Sequence, residues 1–200
     1  EVELSTEEEP LVVDIETAHR YHLAVGTVVT ESQVALLVEA AHRYACRREA
    51  TRLLALRPHA TAELRLKLRR QEYPEEMIRE VMGEFPAQGV LDDAMYAHQL
   101  AESLVRRKPC GRSYLISHLQ SKHIERQLAE DVAAAVLGEY ESEEMAVRAL
   151  RGRWREFGQF DLETARRKAY NYLARRGFAF ETSQSAFERL VRESTDGGSD

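Results

Sequence analysis

The feature of this sequence that most constrains its fold is a short segment that occurs three times. The copies are "KLRRQEYPEEMI" at residues 67–78, "HLQSKHIERQLA" at 118–129 and "YLARRGFAFETS" at 172–183. In each copy a leucine stands five residues before an aromatic residue or isoleucine, and these leucines, Leu68, Leu119 and Leu173, are 51 and 54 residues apart. A period of this length is typical of tandem repeats, in which each unit packs against its neighbours because it buries too little apolar surface alone.

Apolar residues recur at helical spacing before and after these three repeated segments, which we call the corners. Residues 34, 37, 38 and 41 are apolar at i, i+3, i+4 and i+7, and Arg57-Pro58 should end that helix. A helix that opens at Ser142 is predicted to carry Val147, Leu150 and Trp154 along one side. We therefore predict a mainly α protein, an elongated and curved tandem array of three three-helix repeats. The predicted boundaries are 31–90 for repeat 1, 91–140 for repeat 2 and 141–193 for repeat 3.

Short β-favouring runs distinguish the first thirty residues. The runs are "VEL", "LVVDI" and "LAVGTVVT", with Pro10 and Gly26 interrupting the stretch. We predict a small strand pair or hairpin in an N-terminal extension at residues 1–30, which must lean on the helices because an isolated hairpin is marginally stable. At the other end, the segment "STDGGSD" predicts a disordered tail at residues 194–200.

Composition places the chain among folded proteins outside the membrane. The apolar share is 44%, no run is long and apolar enough to span a bilayer, and no basic-then-apolar leader is visible. Cys46 and Cys110 form no CxxC motif and no paired framework, which fits a reducing compartment. We expect both cysteines to be small buried apolar residues, and we expect a cytoplasmic protein with no membrane contact.

The residue patterns of common enzymes and metal sites are missing from the sequence. It contains no glycine-rich phosphate loop, no GxSxG elbow and no HExxH motif. His19 and His22 share a predicted helix face, but no third metal ligand follows at a useful spacing. Asp92 and Asp93 are adjacent, which suits the start of a helix better than an acid/base pair. We therefore expect no enzymatic activity, no catalytic residue, no metal site and no cofactor.

The net charge of −6 hides an uneven distribution. Residues 1–46 carry −7, residues 47–122 carry +4 and residues 123–200 carry −3. Because dedicated DNA-binding domains are usually basic overall, basic segments on an acidic chain leave the kind of partner open. Cations near the ends of the predicted second helices also complement the helix dipole, and an acidic protein surface, phosphates and solvent alone all suit them. The candidate partner contacts, which include the segment "RRKPCGR", are Arg69, Arg70, Arg106, Arg107, Lys108, Arg112, Lys122, Arg175 and Arg176.

Several motifs, in one order, resemble those of the RecX family. The stretch "GVLDDAMYAHQLAESLVRRKPCG" followed by "YLISHLQSKHI" is similar to the central motif of that family. The stretches "EATRLLALRPHATAELRLKL" before it and "ARRKAYNYLARRGF" after it extend the resemblance over about residues 47–190. The strand-like N-terminal part resembles an extension that some members carry. Members usually have glycine where this chain has Glu72 and His123, and only Gly177 keeps it, so we expect the first two corners to differ in shape from the third.

This resemblance implies a regulator of the RecA recombinase, in DNA repair, homologous recombination and the SOS response. Members bind RecA, most notably its filament on single-stranded DNA, and typically suppress its ATPase and strand exchange from the helical groove of the filament. The resemblance thus implies RecA and its filament as partners, with at most a weak direct contact to DNA, and we expect a monomer. The alternatives are a sequence-independent DNA-binding helical protein and a helical adaptor with another protein partner.

Overall fold

The structure, a computed structural model, describes residues 2–4, 10–85 and 91–196. Within them lie β1 (Val2–Leu4), β2 (Leu11–Val13), α1 (Ile15–Arg20), α2 (Glu31–Leu56), α3 (Thr61–Arg69), α4 (Glu75–Glu84), α5 (Asp93–Arg107), α6 (Arg112–Ser121), α7 (Arg126–Gly138), α8 (Ser142–Arg151), α9 (Trp154–Phe157), α10 (Leu162–Arg175) and α11 (Phe180–Asp196). They form two compact units, Glu1–Asp92 and Asp93–Asp200. The predicted mainly α class, with a small N-terminal β element, is confirmed.

Strands β1 and β2 form an antiparallel pair that packs against α2. Val2 lies opposite Val13, and Leu4 lies opposite Leu11. Val13 is fully buried and belongs to a small core with Ala18 of α1 and Ala41 of α2. Strand β2 therefore buries apolar surface on α1 and α2, and a lone pair of short strands needs such support to be stable.

The third predicted β run is not a strand. The segment "LAVGTVVT" lies in turns and loop between α1 and α2, and the side chains of Val25 and Val28 are almost fully exposed. The prediction was wrong because β propensity expresses the fit to a half-buried sheet, and no strand in the described part of the chain lies beside this segment. Its last residue instead caps α2, since Thr30 and Gln33 each accept a hydrogen bond from the other's amide.

The second half of α2 packs with α3 and α4 around one apolar core, the first domain. Its buried members are Cys46, Ala50, Leu53, Leu64, Leu68, Ile78, Val81, Met82, Phe85 and Leu91. Helix α2 ends just before Arg57-Pro58, as expected from the restriction that proline places on its predecessor. Pro74 precedes α4, whose first turn carries Glu75 and Glu76 at the positive end of the helix dipole.

The second unit contains a second domain, α5 to α7, and a third domain, α8 to α11. The third domain has a one-turn helix, α9, between its first two longer helices. The prediction that Trp154 continues the side of α8 formed by Val147 and Leu150 was therefore wrong, because α8 ends at Arg151 before Gly152. Trp154 begins α9 and is half-buried, with its ring centroid 5.6 Å from that of Phe187.

The three repeated corners share one backbone geometry. In each corner the amide of the third residue after the leucine donates to the leucine carbonyl, and the next amide donates to the next carbonyl, at 2.9 to 3.0 Å. The residue that makes the second bond has a positive φ, which is 64° at Glu72, 63° at His123 and 77° at Gly177. The expectation that the first two corners differ in shape was therefore wrong. The fully buried leucine of each corner anchors the turn, so packing holds two side chains in a left-handed conformation that costs roughly 1 kcal/mol each.

Two predictions concern the ends of helices. Helix α11 continues to Asp196, three residues into the tail predicted to be disordered, and residues 197–200 lie outside the described residues. Pro86 and Gly89, two helix-breaking residues that predict the end of α4 from the sequence, also lie outside the described residues. Among the described helices, none is long and apolar enough to cross a membrane.

Candidate partner-binding surface

Two of the nine predicted contact residues, Arg69 and Arg70, lie at the first corner. The Arg69 Nε donates to the Glu75 Oε2 over 2.6 Å, and this hydrogen bond raises the pKa of Arg69 and lowers the pKa of Glu75. Arg70 is exposed and makes no ion pair with a described residue. Both belong to the first unit, whereas the other seven predicted contacts belong to the second.

The segment "RRKPCGR" is mostly helical at its two ends. Arg106 and Arg107 form the last turn of α5 and Arg112 begins α6, so residues 108–111 alone connect the two helices. Arg148 of α8 donates to the carbonyl oxygens of Val105, over 3.2 Å, and Arg106, over 2.9 Å. These acceptors would otherwise lack partners at the helix end. The third domain thus holds the end of α5, while the Arg106 side chain stays exposed.

Three predicted contacts lie around His118 on α6. We call Arg107, Lys108 and Lys122 the basic cluster. Burial lowers the pKa of His118, and the charges of Lys122, Lys108 and Arg107 lower it further. Lys108 also donates from its Nζ to the Tyr114 hydroxyl over 2.7 Å. None of the three cations makes an ion pair within residues 2–4, 10–85 and 91–196, so an approaching anion meets uncompensated positive charge.

The loop between α5 and α6 is fastened to the third corner, and we call this contact the joint. The Gly111 amide donates to the Arg176 carbonyl oxygen over 2.8 Å, and the Arg176 Nη1 donates to the Pro109 carbonyl oxygen over 3.1 Å. A Cβ added to Gly111 would lie 2.1 Å from the Gly177 carbonyl oxygen, and one added to Gly177 would lie 2.3 Å from the Tyr114 nitrogen. The two backbones approach so closely that only glycine fits at either position.

Arg176 belongs to the joint rather than to an open basic surface. Besides its hydrogen bond to Pro109, its guanidinium lies 4.9 Å from the ring centroid of Tyr172. Arg153 lies 5.2 Å from the same ring, so two cations flank a buried aromatic side chain. The neighbouring Arg175 is exposed and makes no ion pair with the described residues, so it is the cation that this corner presents to solvent.

Arg112 lies on a different side of α6 from the basic cluster. It is six residues before His118, which places the two side chains about 240° apart around the helix. Arg112 lines a cleft of about 470 Å³ together with Leu137 of α7 and Phe178 of the third domain.

The sequence does not single out Arg148. Its hydrogen bonds to the end of α5 join residues more than 40 positions apart, and no local sequence pattern predicts such bonds.

A polar network, separate from these cations, surrounds two buried side chains of the first domain, His59 and Glu63. His59 Nδ1 contacts the Arg57 carbonyl oxygen at 2.8 Å and His59 Nε2 contacts the Lys67 Nζ at 2.8 Å, so the neutral ring donates at Nδ1 and accepts at Nε2. Burial lowers the pKa of His59, and the charges of Arg57 and Lys67 lower it further. Burial raises the pKa of Glu63, but hydrogen bonding and charge from Arg57 bring the net pKa below its usual value.

Metal-ligating side chains do not cluster in the described residues. No three His, Cys, Asp or Glu side chains among them form a group that could hold a metal ion. Both cysteines are free and fully buried, as predicted, and burial raises the pKa of Cys46 to about 11. Successive three-helix domains, with a basic cluster beside a joint that admits only glycine, define a tandem helical-repeat protein.

Comparisons with known proteins identify the family of this repeat protein. Three family models match in order: the first three-helix domain of RecX at residues 46–85, the second at 92–132 and the third at 139–187. The regulatory protein RecX of Pelodictyon phaeoclathratiforme is 32% identical over 147 residues, which are 74% of this chain and 89% of the relative. The regulatory protein RecX of Amycolatopsis mediterranei is 30% identical over 141 residues, 70% of this chain and 80% of the relative. The chain belongs to the RecX family.

Solved structures agree on the fold. A crystal structure of regulatory protein RecX superposes with a TM-score of 0.72 at 18% identity and covers 89% of this chain and 88% of its own. The crystal structure of RecX from Lactobacillus salivarius has a TM-score of 0.67 at 19% identity and covers 76% of this chain and 98% of its own. Because the sequence identities are only 18% and 19%, these two matches show a shared fold alone. The predicted repeat boundaries at 31, 91 and 141 stay a prediction.

Proposed function

We propose that this protein binds RecA and its filament on single-stranded DNA, and that it lowers the ATPase and recombinase activity of that filament. Its membership of the RecX family supports a regulatory role. The structural observation that carries the proposal is the basic cluster beside the joint. Because the joint fastens residues 108–111 to the third domain, the cations stand on a preformed surface, which reduces the entropy lost on binding.

The charges of the helices that follow the corners favour a protein partner over duplex DNA. In helix-turn-helix proteins the helix after the turn enters the major groove of DNA. The surface of such a helix must be neutral or basic, because the phosphates of DNA repel acidic side chains. Here α4 carries four glutamates and one arginine, α7 carries two acidic residues and one arginine, and α11 carries four acidic residues and two arginines. All three helices are net negative, so the cations on α5, α6 and α10 are the better candidates for a contact.

Seven of the nine cations named from the sequence are proposed as contacts, because Arg69 is paired with Glu75 and Arg176 is held in the joint. Arg106, Arg107, Lys108, Lys122 and Arg175 are proposed as direct contacts from the second unit, and Arg70 from the first. Arg112 is proposed to contact the partner from the other side of α6. Such charges would mainly raise the association rate and align the two surfaces. We place this activity in the cytoplasm, in a monomer without enzymatic activity of its own and with at most weak direct contact to DNA.

The test is the ATPase of the cognate RecA on single-stranded DNA while this protein is titrated in. We expect inhibition at less than one molecule of this protein per RecA, because a regulator that blocks a filament acts on many protomers. A several-fold excess of folded protein that leaves the ATPase unchanged contradicts the proposal.

A variant in which Arg106, Arg107 and Lys108 are replaced by alanine tests the proposed surface. We expect weaker inhibition and weaker filament binding with unchanged helicity, since none of the three side chains belongs to the buried core. The matched control is R79A/R126A/R155A, which removes three exposed arginines from helices outside the cluster. Equal loss of inhibition in both variants would attribute the effect to net charge and not to this surface.

A further inference from the structure

An open groove of about 1480 Å³ runs between α10 and α11 of the third domain. Its walls are the stripes of side chains that recur every three or four residues along the two helices. The lining residues all belong to α10, to α11 or to the corner between them, so no other described element covers the groove. The side chains of Leu162 and Phe180, at the first turns of the two helices, are 63% and 62% exposed. Exposed apolar side chains in one groove are typical of an interaction site.

The second domain has the equivalent face, and there it is occupied. The corner leucines Leu119 and Leu173 are 54 residues apart, and this spacing carries Arg112, Ser113, Ala133, Ala134, Leu137 and Gly138 of the second domain onto Arg166, Arg167, Phe187, Glu188, Val191 and Arg192 of the third. Both sets line their respective grooves. In the second domain, Gly177, Phe178, Ala179 and Thr182 of the third domain lie across this face. The α10–α11 groove is therefore the face on which a helical element packs elsewhere in the same array.

A second copy of this chain does not suit the groove. The joint of the second domain depends on the contact of Gly111 with Gly177, where a Cβ on either would overlap backbone atoms. The third-domain equivalent of Gly111 is Ala165, and the first-domain equivalent of Gly177 is Glu72. Alanine and glutamate both carry the Cβ that the joint excludes, so the groove cannot receive a first domain in the way the second domain receives the third.

The charges of the groove point to an acidic occupant. Arg166, Arg167 and Arg192 line it, and none of them makes an ion pair in the described part of the chain. The carboxylates that face them are Glu163 and Glu188, and Glu188 already accepts a hydrogen bond from Gln184 over 2.9 Å. Two exposed apolar side chains and three cations without ion-pair partners among the described residues thus line one groove, which complements a helix with apolar residues on one side and carboxylates at its edges.

The aromatic side chains of the groove do not form a platform for nucleotide bases. Phe178 and Phe187 are buried, and Tyr170 is half-buried with its ring edge-to-face against Phe180 and Phe187. Phe180 is thus the strongly exposed aromatic of the lining. Binding of a single strand relies on successive exposed aromatic faces, which this groove lacks.

We propose that the α10–α11 groove binds an acidic amphipathic helix of a partner protein. Apolar side chains of that helix pack against Phe180 and Leu162, and its carboxylates pair with Arg166, Arg167 and Arg192. This inference goes beyond the proposed function and does not depend on RecA being the source of the helix.

The test uses the full chain and a fluorescein-labelled synthetic helix of about four turns, with Leu and Phe at i, i+3, i+4 and i+7 and Glu beside them. We expect saturable binding by fluorescence anisotropy, together with a change in the emission of Trp154, the single tryptophan, which touches the groove residue Phe187. We expect a scrambled peptide of the same composition, and a peptide with Lys for Glu, to bind at least about tenfold more weakly.

Variants locate the binding. R166E/R167E and, separately, F180A should each weaken the acidic peptide at least about tenfold, while R155E, an exposed charge reversal on α9 outside the groove, should leave it unchanged. Circular dichroism checks that each variant is folded. The proposal is overturned if the acidic peptide does not bind, if the scrambled peptide binds equally well, or if R155E weakens binding as much as R166E/R167E. It is also overturned if a fifteen-nucleotide oligo-dT, and not the peptide, loses affinity in R166E/R167E.

Discussion

Replacing Gly111 by alanine should loosen the joint between the second and third domains. Gly111 has φ −88° and ψ 177°, a conformation that alanine adopts freely. By itself this backbone would make alanine stabilising by about 0.4–1 kcal/mol, because alanine restricts the unfolded chain. Any destabilisation therefore comes from the tertiary contact, in which the new Cβ would lie 2.1 Å from the Gly177 carbonyl oxygen.

The expected change in the free energy of unfolding follows from the hydrogen bonds and the packing that the new Cβ disturbs at the joint. The two hydrogen bonds of the joint, from Gly111 to Arg176 and from Arg176 to Pro109, contribute about 0.5–1.5 kcal/mol each. Overpacking of a close contact adds about 1–3 kcal/mol. After the opposing effect on the unfolded chain is subtracted, we expect a net loss of about 1–6 kcal/mol in the free energy of unfolding of the second unit.

Two assays measure this loss. Urea unfolding followed by the emission of Trp154 reports on the second unit, because the chain contains no other tryptophan. The thiol of Cys110 is buried beside the joint and burial raises its pKa, so it should react slowly with a thiol reagent in the wild type and faster in G111A. Mass spectrometry separates this reaction from that of Cys46, which is buried in the first unit and should not change.

The matched control is Gly138→Ala, in the last position of α7. A Cβ there would meet nothing within 4 Å, so alanine should be neutral or stabilising by up to about 1 kcal/mol. If G111A unfolds at the same urea concentration as the wild type and leaves the Cys110 reaction rate unchanged, the argument from the close approach is refuted.

Three further predictions concern the corners, the buried histidine and Arg176. E72G and H123G should each raise the free energy of unfolding by up to about 1 kcal/mol, since glycine adopts a positive φ without strain; lower urea midpoints would contradict the shared corner geometry. Because the pKa of His59 is lowered in the fold, its contribution to stability should be complete above the usual value near 6.5 and be lost as the pH falls through the folded pKa. H59Q should flatten the dependence of stability on pH between about 5 and 7, measured by urea unfolding, and an unchanged slope would exclude His59 as its source. R176K should speed the thiol reaction of Cys110 because lysine keeps the charge but not the planar stacking on Tyr172, whereas R175K should not; equal rates would remove Arg176 from the joint.

Local patterns in the sequence predicted most of the architecture. Apolar spacing placed α2, Arg57-Pro58 marked its end and Ser142 marked the start of α8, because an amphipathic helix repeats its buried side every three or four residues. The leucines of the corners and both cysteines are fully buried, as their apolar chemistry predicts. The segment "LAVGTVVT" misled because β propensity has meaning only when a neighbouring strand is present.

The candidate site was predicted in residue type but not in arrangement. The sequence marked nine cations, yet Arg69 is paired with Glu75 and Arg176 is held by Tyr172 and Pro109. Glu72 and His123 were expected to alter their corners, and the fold imposes a positive φ on both. Such side-chain partners depend on which distant segments of the chain pack together, and the spacing of residues along the sequence does not reveal these long-range contacts.

The sequence alone thus predicted most of the helices, the three corners and the family resemblance, because periodicity, proline and glycine placement and motif order are all local properties of a chain. Long-range packing shows which cations are exposed and why Gly111 and Gly177 must be glycine. It also shows that the α10–α11 groove is the uncovered equivalent of a face filled in the second domain. Gly111 and Gly177 are 66 positions apart in the chain, and a distance of a few ångströms between their backbones arises from packing rather than from either segment alone.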